Sequence, residues 1–289
     1  MSKIIDIYLK SNKPVFSFEF FPPKTVEGEE KLFLTIENLS QLNPSFVSVT
    51  YGAGGTTRTK TVEISRKIQD DFKIETMCHF TCVGVDSNQI KETLDSIHNF
   101  GIKNLMALRG DPPKGEGKFT KTKGGFENAT ELISFIKSEG YSFCLGGGCY
   151  PEKHPDAPTL EIDIQNLKHK VDAGADFLIT QLFFKNSVFF DFLENTKKTG
   201  INKPIIPGIM PITNFNQIAR FKEMAGCEIP ESLVTELEAL KDDPIEFQKK
   251  SLAYTTGQCK ELLQNGVFGI HFYTLNQSRA TFEIMKKLI

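Results

Sequence analysis

The sequence predicts an α/β fold, a (β/α)8 barrel with extra helices between the seventh and eighth strands. Eight apolar runs of strand-like character recur along the 289 residues, with helical patterns between them. A glycine stands after five of those helical patterns, shortly before the next strand. Near-continuous apolar strands are typical of a parallel sheet covered by helices, because such strands are buried on both faces.

Each strand prediction rests on a short run of β-branched, aromatic and other apolar residues. The predicted strands are residues 16–20, 46–51, 76–83, 104–109, 142–150, 177–184, 204–210 and 267–274. The stretch between residues 210 and 265 is long enough to hold two or more helices.

Helices are predicted where apolar residues recur at helical spacing, with Ser87 and Asn128 as N-caps of two of them. The apolar sets are Ile90, Leu94 and Ile97; Leu132, Ile133 and Ile136; and Leu160, Ile164, Leu167 and Val171. Glycine ends a helix readily because it adopts left-handed backbone. The predicted helix ends are Gly101, Gly140, Gly174, Gly200 and Gly266.

The competing architecture is an open doubly wound sheet. That fold normally places G-x-G-x-x-G directly after its first strand, and the motif is absent there. No linker rich in proline and glycine divides the chain, so we predict one domain over residues 1–289.

Composition indicates an ordinary globular protein without a charged partner. Charged residues make up 24% of the chain and the net charge is −2, which gives no electrostatic basis for binding nucleic acid or a membrane. No run approaches the roughly 18 apolar residues of a membrane helix, and the first residues do not resemble a signal peptide. Six cysteines without framework spacing suggest reduced thiols, so we predict a cytoplasmic protein.

The segment F-S-F-E-F-F-P-P, residues 16–23, contains an oddly placed carboxylate. In an extended strand Phe16, Phe18 and Phe20 share one face, whereas Ser17 and Glu19 share the other. Burial disfavours the charged form of a carboxyl group, so we expect a raised pKa for Glu19 and a role as general acid. The alternative is a structural carboxylate in a salt bridge.

Polar residues also stand at the predicted carboxyl ends of the other strands, where barrels build their active sites. They are Thr50, Tyr51, His79, Thr81, Arg109, Gly110, Asp111, Tyr150, His154, Gln181, Tyr273, Thr274 and Asn276. This arrangement suits a large polar ligand spread across the mouth of the barrel.

Several of these groups have a second interpretation. Residues 109–111 could form an ion pair within one turn, and His79 could be a core histidine with its hydrogen bonds satisfied. Strand alternation puts His79 on the face opposite to Cys78 and Cys82, so no metal site is predicted.

Three further segments remain ambiguous. The glycines at 146–148 indicate either tight packing or a ligand close to the backbone, and the loop 112–125 is either a flap or a solvated loop. Asp163, Asn166 and Lys170 share a helix face that either binds a ligand or faces solvent.

Eight motifs, in order along the chain, closely resemble those of the methylenetetrahydrofolate reductase family. They are F-E-F-F-P-P (18–23), V-S-V-T-Y-G-A-G-G (47–55), A-L-R-G-D (107–111), Y-P-E-K-H-P (150–155), N-L-K-H-K-V-D-A-G-A (166–175), I-T-Q-L-F-F (179–184), I-I-P-G-I-M-P (205–211) and H-F-Y-T-L-N (271–276). Collinear motifs over essentially the whole chain are far more specific than any one of them. The likeness is to the bacterial type, which consists of the catalytic domain only.

The resemblance implies a barrel that binds FAD, is reduced by NADH or NADPH, and reduces 5,10-methylenetetrahydrofolate to 5-methyltetrahydrofolate by ping-pong kinetics, for methionine synthesis. It implies Glu19 as the acid that opens the folate ring and Asp111 as the carboxylate near flavin and pterin. It also implies self-association into a homo-oligomer.

The resemblance further assigns two sets of binding residues. FAD-site positions are Thr50, Tyr51, Ala53, His79, Arg109, Gly110, Asp111, Ala129, Tyr150, His154, Ala157, Asp163, Asn166, His169 and Lys170. Substrate positions are Gln181, Gln217, Phe221 and Gln277.

Three positions depart from the family pattern. Asn128 stands where tyrosine is common, His169 replaces an arginine, and Gln277 stands where an arginine often follows T-L-N, with Arg279 two residues on. The alternatives in function are a flavin-independent barrel enzyme of the aldolase or pterin methyltransferase type, or a folate- or flavin-binding protein without turnover.

Overall fold

The computed structural model describes residues 1–52, 58–112, 115 and 119–289, and its strands lie in one parallel sheet. The strand segments are β1 (Val15–Phe20), β2 (Phe46–Val49), β3 (Thr76–Thr81), β4 (Asn104–Leu108), β5 (Cys144–Cys149), β6 (Phe177–Thr180), β7 (Ile205–Ile206), β8 (Gly208–Ile209) and β9 (Gly269–Tyr273). Their order in the sheet is β7-β6-β5-β4-β3-β2-β1-β9-β8.

The sheet closes through β7 and β8, which are two halves of one strand separated by Pro207. Ile206 of β7 pairs with β6, whereas Gly208 of β8 pairs with β9. The carbonyl of Pro207 accepts a hydrogen bond from His271 N at 3.0 Å. Counting the halves as one strand leaves eight, so the predicted barrel and its eight strands are confirmed, with the seventh strand split.

Helices surround the barrel. They are α1 (Ile4–Lys10), α2 (Val26–Ser40), α3 (Arg58–Phe72), α4 (Ser87–Asn99), α5 (Ala129–Ser138), α6 (Leu160–Asp172), α7 (Asn186–Lys198), α8 (Gln217–Ala225), α9 (Glu231–Ala239), α10 (Pro244–Gln264) and α11 (Arg279–Met285). The extra helices predicted before the last strand are α8, α9 and α10. Among the described residues, no helix is both long and apolar enough to cross a membrane.

The predicted helix ends agree with the structure. All five glycines have positive φ, from +73° at Gly101 to +122° at Gly174. Asn128 caps α5 by accepting a hydrogen bond from Glu131 N. The predicted cap Ser87 is wrong: Asp86 caps α4, and its carboxylate and the Gln89 side chain form a reciprocal capping box.

The amino-terminal helix α1 closes one end of the barrel. Ile4 and Tyr8 are buried inside, where the Tyr8 ring lies 6.0 Å from the Phe46 ring and 5.8 Å from the Phe177 ring. The amide of Ile4 donates to Asn104 Oδ1 at 2.8 Å, which ties the helix to β4. The interior is therefore filled by α1 at the amino ends of the strands.

The alternation predicted for the first strand is present. Phe18 and Phe20 are buried in the layer between strands and helices. Ser17 and Glu19 instead point into the barrel, where both contact His271 of β9. On β3, His79 contacts Glu19 across the interior, whereas Cys78 and Cys82 belong to the outer layer, as predicted.

Candidate functional site

A cavity of about 590 Å³ opens at the carboxyl ends of the strands. Its wall includes many of the residues predicted from sequence. They are Glu19, Thr50, Tyr51, His79, Arg109, Gly110, Asp111, Tyr150, His154, Gln181, Gln217 and Phe221. The chain thus brings into one space residues that lie up to about two hundred positions apart.

A second cavity, of about 660 Å³, lies at the other end of the barrel beside α1. It is slightly larger, but Lys3, Lys10 and Lys103 at its edge are surface side chains. None of the polar groups at the strand ends reaches it. Position relative to those groups, rather than volume, identifies the first cavity as the candidate site.

Glu19 lies at the floor of the candidate site, between two histidines. Its Oε2 is 3.1 Å from His79 Nε2 and 3.5 Å from His271 Nε2. The His79 contact has ion-pair distance without hydrogen-bond alignment. Ser48 Oγ donates to the same oxygen over a long 3.4 Å. The side chain of Glu19 is 18% exposed, so this carboxyl group still meets the cavity.

The expected raised pKa of Glu19 is wrong for the ligand-free protein. Burial does raise it, and is the largest single influence. The charges of His79 and His271 and their close contacts with the carboxylate act together in the other direction and lower the pKa of Glu19 to about 2. A pKa this low implies an ionised carboxylate between the two histidines, which corresponds more closely to the salt-bridged alternative.

His271 is a site residue that the sequence predictions missed. It is fully buried, and its Nδ1 lies 2.7 Å from Ser17 Oγ. Tyr273 follows on the same face of β9, and its hydroxyl donates to the Thr180 carbonyl at 2.6 Å. A signal was available, because Ser17 shares its strand face with Glu19 and implied a polar neighbour inside the barrel.

Other lining residues were also missed, among them Met106, Met210, Arg220, Met224 and Leu275. Three of these are apolar residues on or just after strands, where no polar side chain marked them as part of a site. Arg220 and Met224 lie on α8, and the Arg220 Nε donates to Met224 Sδ at 3.2 Å. Their place in the wall depends on how α8 folds over the barrel mouth.

Several ionisable groups border the site at the ends of β4 and β5. Arg109 Nη1 lies 2.9 Å from Asp156 Oδ2, and the bond that Arg109 donates lowers the pKa of Asp156. The predicted alternative of an ion pair within residues 109–111 is therefore wrong, because Arg109 pairs with Asp156. Burial lowers the pKa of His154, whose ring contacts the Tyr150 ring at 4.5 Å.

Gly110 at this edge has no space for a side chain. Its φ is +89°, and an added Cβ would lie 2.6 Å from Val83 Cγ1. Further along the loop 112–125, the Phe119 ring covers Arg109 at 5.1 Å and Lys121 pairs with Glu131 at 3.2 Å. The described part of this loop is thus attached to the site and to α5.

Four residues predicted for the flavin site lie outside the cavity wall but behind it. Asp163 Oδ2 accepts from His154 N at 2.8 Å, and Ala157 N donates to the His154 carbonyl. Lys170 Nζ donates to the Gly148 carbonyl at 2.6 Å, and burial lowers the pKa of this lysine. Ala129 is buried as the first residue of α5.

The remaining predicted residues are not gathered into the cavity. Asn166 and His169 are exposed on α6, and Gln277 is exposed after β9. Arg279 is exposed as well. Ala53 lies outside the described residues.

The glycine run of β5 serves two purposes. A Cβ on Gly146 would lie 2.8 Å from the Phe177 ring, and one on Gly147 would lie 2.9 Å from Lys170 Cδ. Gly148 has ordinary space and lines the cavity. Each of the two interpretations therefore holds for part of the segment. Gly146 and Gly147 are needed for tight packing, and Gly148 brings the backbone to the cavity.

Comparison with known proteins gives a consistent result. A family model described as methylenetetrahydrofolate reductase matches residues 3–289. The chain is 38% identical to the 5,10-methylenetetrahydrofolate reductase of Escherichia coli (strain K12), over 94% of this chain and 90% of that protein. It is 39% identical to methylenetetrahydrofolate reductase (NADH) 1 of Arabidopsis thaliana, over 96% of this chain. It spans about half the length of the plant relatives, 49% in this case.

Solved structures share the fold at lower identity. An uncharacterized protein from Clostridium thermocellum, described as binding two copies of 5-methyl-5,6,7,8-tetrahydrofolic acid, has a TM-score of 0.65 and 18% identity over 98% of this chain and 96% of its own. Dihydropteroate synthase from Xanthomonas albilineans has a TM-score of 0.50 and 11% identity, over 95% and 91%.

Proposed function

The chain belongs to the methylenetetrahydrofolate reductase family, and we propose that it reduces 5,10-methylenetetrahydrofolate to 5-methyltetrahydrofolate, with FAD as cofactor and NADH or NADPH as electron donor. The observation that carries the proposal is a single cavity at the strand ends in which Glu19, Asp111, Gln181 and Gln217 meet. NADH is the first donor to test, since it stands in the names of plant relatives.

The polar groups in the cavity wall fit a flavin. The Tyr51 hydroxyl and the Thr81 hydroxyl are buried without a hydrogen-bond partner among the described residues. Both residues line the cavity. Thr81 shares the inward face of β3 with His79, so a bound ring with polar edges would give its hydroxyl a partner. The Tyr51 hydroxyl instead lies near Cys78 and Arg58, behind the cavity wall. Arg109 and His154 lie at one edge, where a phosphate-bearing tail would gain charge-assisted hydrogen bonds. When bound, FAD would supply the hydride chemistry that side chains lack.

The departures in the flavin region concern its outer part. His169 is exposed and contributes nothing to the cavity of the ligand-free protein. Asn128 is used as the cap of α5. The groups that fit the ring and the first phosphate therefore do not depend on these two positions.

Two glutamines are prepared to donate to a ligand. Gln181 Oε1 accepts from Leu182 N at 2.9 Å, and Gln217 Oε1 accepts from Thr213 N at 2.7 Å. Because each carbonyl oxygen is engaged by the backbone, each amide NH₂ is left to face the cavity. Such donors suit the carbonyl oxygens of a pterin or a nicotinamide. Phe221, 5% exposed and beside Phe184, offers an apolar surface next to them.

Glu19 is proposed as the acid that protonates the folate ring and opens it to an iminium. For this step the carboxyl group must carry a proton, whereas its pKa in the ligand-free protein is about 2 because of the two histidines. Bound ligands would displace the water that now solvates it, and desolvation favours the neutral form. We therefore expect ligand binding to raise the pKa of Glu19 toward the working pH.

The same cavity would serve both substrates in turn. Gln181, Gln217 and Phe221 line one cavity, so nicotinamide and folate would compete for the same residues and occupancy by one would exclude the other. Ping-pong kinetics is the expected consequence. A Schiff-base aldolase is less well supported, because no lysine is present among the described residues that line the cavity.

The test begins with the absorbance spectrum of the purified protein after incubation with FAD. Flavin absorbance, bleaching on anaerobic addition of NADH or NADPH, and recovery on addition of methylenetetrahydrofolate are expected. A protein that stays colourless with FAD would refute the flavin part. Bleaching that a quinone reverses and folate does not would refute the substrate, and would favour a flavin-binding protein of other function. Sedimentation of the same sample checks the proposed self-association.

A further inference from the structure

The loop after β9 contains two consecutive residues with left-handed backbone and no glycine. Leu275 has φ +51° and Asn276 has φ +55°. Asparagine tolerates this conformation, whereas a leucine is strained in it. The side chain of Leu275 contributes to the wall of the candidate site. Strain of this kind persists only where surrounding contacts hold it, and it concentrates at functional sites.

The contacts that hold the loop come from Asn276. Its Oδ1 accepts from Phe21 N at 2.9 Å and its Nδ2 donates to the Phe21 carbonyl at 2.8 Å. The side-chain amide of Asn276 thus forms hydrogen bonds with both the N–H and the C=O of a residue at the end of β1. Thr274 Oγ1 donates to the Glu19 carbonyl at 2.6 Å, and Asn276 N donates to the same hydroxyl at 3.2 Å.

These side chains continue the pairing of β1 with β9 beyond the last backbone pair, Glu19 with Tyr273. The chain needs this because Phe21 is followed by Pro22 and Pro23, which have no N–H to donate. On the side of β2, Thr50 N donates to the Phe20 carbonyl at 2.8 Å. Asn276 holds the next residue, Phe21, which lies two positions beyond Glu19, through both of its backbone groups.

We propose that Asn276, assisted by Thr274, is a positioning residue that fixes the end of β1 and so aims the Glu19 carboxyl group into the cavity while it keeps Leu275 in the wall. Glu19 Oε2 meets groups from β2, β3 and β9 within 3.1–3.5 Å, so a small displacement of β1 would separate it from all of them. The inference rests on the proposed function for the task that Glu19 performs.

The test variant is Asn276→Gly. Glycine adopts φ +55° without strain, so the change removes the two side-chain bonds and leaves the backbone conformation accessible. Asn43→Gly is the matched control, because Asn43 also has left-handed backbone, φ +51°, and lies in the turn between α2 and β2 at the opposite end of the barrel.

Four readouts are compared between the variants and the wild type. Hydrogen exchange of the Phe21 amide, followed by NMR, is expected to quicken at least ~10-fold in Asn276→Gly. The folate half-reaction of the FAD-loaded protein is expected to fall ~10- to 100-fold, since a misplacement of about 1 Å has that effect. Flavin reduction by the nicotinamide is expected to stay within about twofold of the wild type, because it does not need the acid.

The fourth readout is the pKa of Glu19, from carboxyl NMR titration of the ligand-free protein. It is expected to rise in Asn276→Gly as the carboxylate leaves the histidines, and to stay unchanged in Asn43→Gly. Asn276→Asp keeps the acceptor for Phe21 N and loses the donor, so intermediate effects are expected. This variant also serves if Asn276→Gly does not fold.

Unchanged Phe21 exchange, or an unchanged pKa of Glu19, would overturn the positioning role. Equal losses in both half-reactions would assign Asn276 a structural role only. If the wild type reduced its flavin but not folate, the proposed function would fail. Exchange at Phe21 and the Glu19 titration would then still decide whether Asn276 holds β1.

Discussion

The two ends of the barrel interior use the same strands and opposite kinds of side chain. At the amino end Val15, Phe46 and Met77 pack around α1. Two or four residues further along the same inward faces, β1 carries Glu19 and β3 carries His79. Alternation assigns a face to each residue, and position along the strand assigns it to one end or the other. The amino ends of the strands therefore stabilise the barrel, while their carboxyl ends hold its polar chemistry.

A cluster of titratable groups around one cavity, rather than unsatisfied polar groups, separates the two ends. The Tyr8 hydroxyl at the amino end and the Tyr51 hydroxyl at the carboxyl end are both buried without a hydrogen-bond partner among the described residues. Glu19, His79 and His271, however, concentrate titratable groups near the mouth. Such a concentration is typical of functional sites.

The largest effect is expected at the carboxyl end, from Glu19→Gln. The amide keeps the shape of the side chain and lacks the transferable proton, so the folate half-reaction should fall by ~100- to 10,000-fold, the usual contribution of a general acid. Reduction of the flavin by the nicotinamide should persist. Stopped-flow absorbance separates the two half-reactions, and an equal loss in both would contradict the acid role.

The amino end should respond in the opposite way. Phe177 is fully buried against Tyr8 and against the space above Gly146, so Phe177→Ala should lower the free energy of unfolding by about 3–5 kcal/mol. Urea unfolding measures this change. The rates of both half-reactions should match those of the wild type at a temperature where the variant is folded. Phe177→Leu should destabilise the protein less than Phe177→Ala, because it removes less buried volume. Altered chemistry in a folded variant would show that the ends are coupled.

Much of this contrast follows from the sequence. Apolar runs and glycine stops predicted eight strands, and the alternation F-S-F-E-F placed Glu19 inside the barrel. These features are local. The face of a strand on which a side chain lies, and the position at which a helix ends, both depend on residues only a few positions away. The filling of the amino end by α1 was not predicted, since a seven-residue helix has little periodicity to read.

The sign of the Glu19 pKa shift could not be read from the sequence. Burial was correctly expected, but the opposing charges come from His79 and His271, which are remote in sequence and adjacent only through the barrel register. The pairing of Arg109 with Asp156 was missed for the same reason. The break of the seventh strand at Pro207 has a local cause, because proline lacks the N–H that a continuous strand needs.

Acid should weaken the carboxyl end selectively. The pKa of Glu19 is about 2 in the folded protein against an ordinary value of 4.5, so the ionised carboxylate stabilises the fold by about 3 kcal/mol. This contribution is complete above pH 4.5 and is lost as the pH falls toward 2. The difference in unfolding free energy between the wild type and Glu19→Gln should therefore shrink from pH 6 to pH 3, measured by urea titration. A constant difference would contradict the lowered pKa.

The smallest effect is expected at the rim, from Arg220→Gln. Arg220 lines the cavity from α8, and no carboxylate of the described residues lies within ion-pair distance of its guanidinium group. It is exposed, so attraction to the carboxylates of the folate tail should be worth about 0.2–1 kcal/mol. The KM for folate should rise by up to about fivefold at low salt, with kcat unchanged, and by less at high salt because exposed charges are screened. Lys222→Gln is the matched control, since it removes one charge from the same helix outside the cavity wall. An equal rise in KM in both variants would assign the effect to the net charge of the protein. Arg220 would then have no specific role in binding, and the polar chemistry of the carboxyl end would rest on the groups around Glu19 alone.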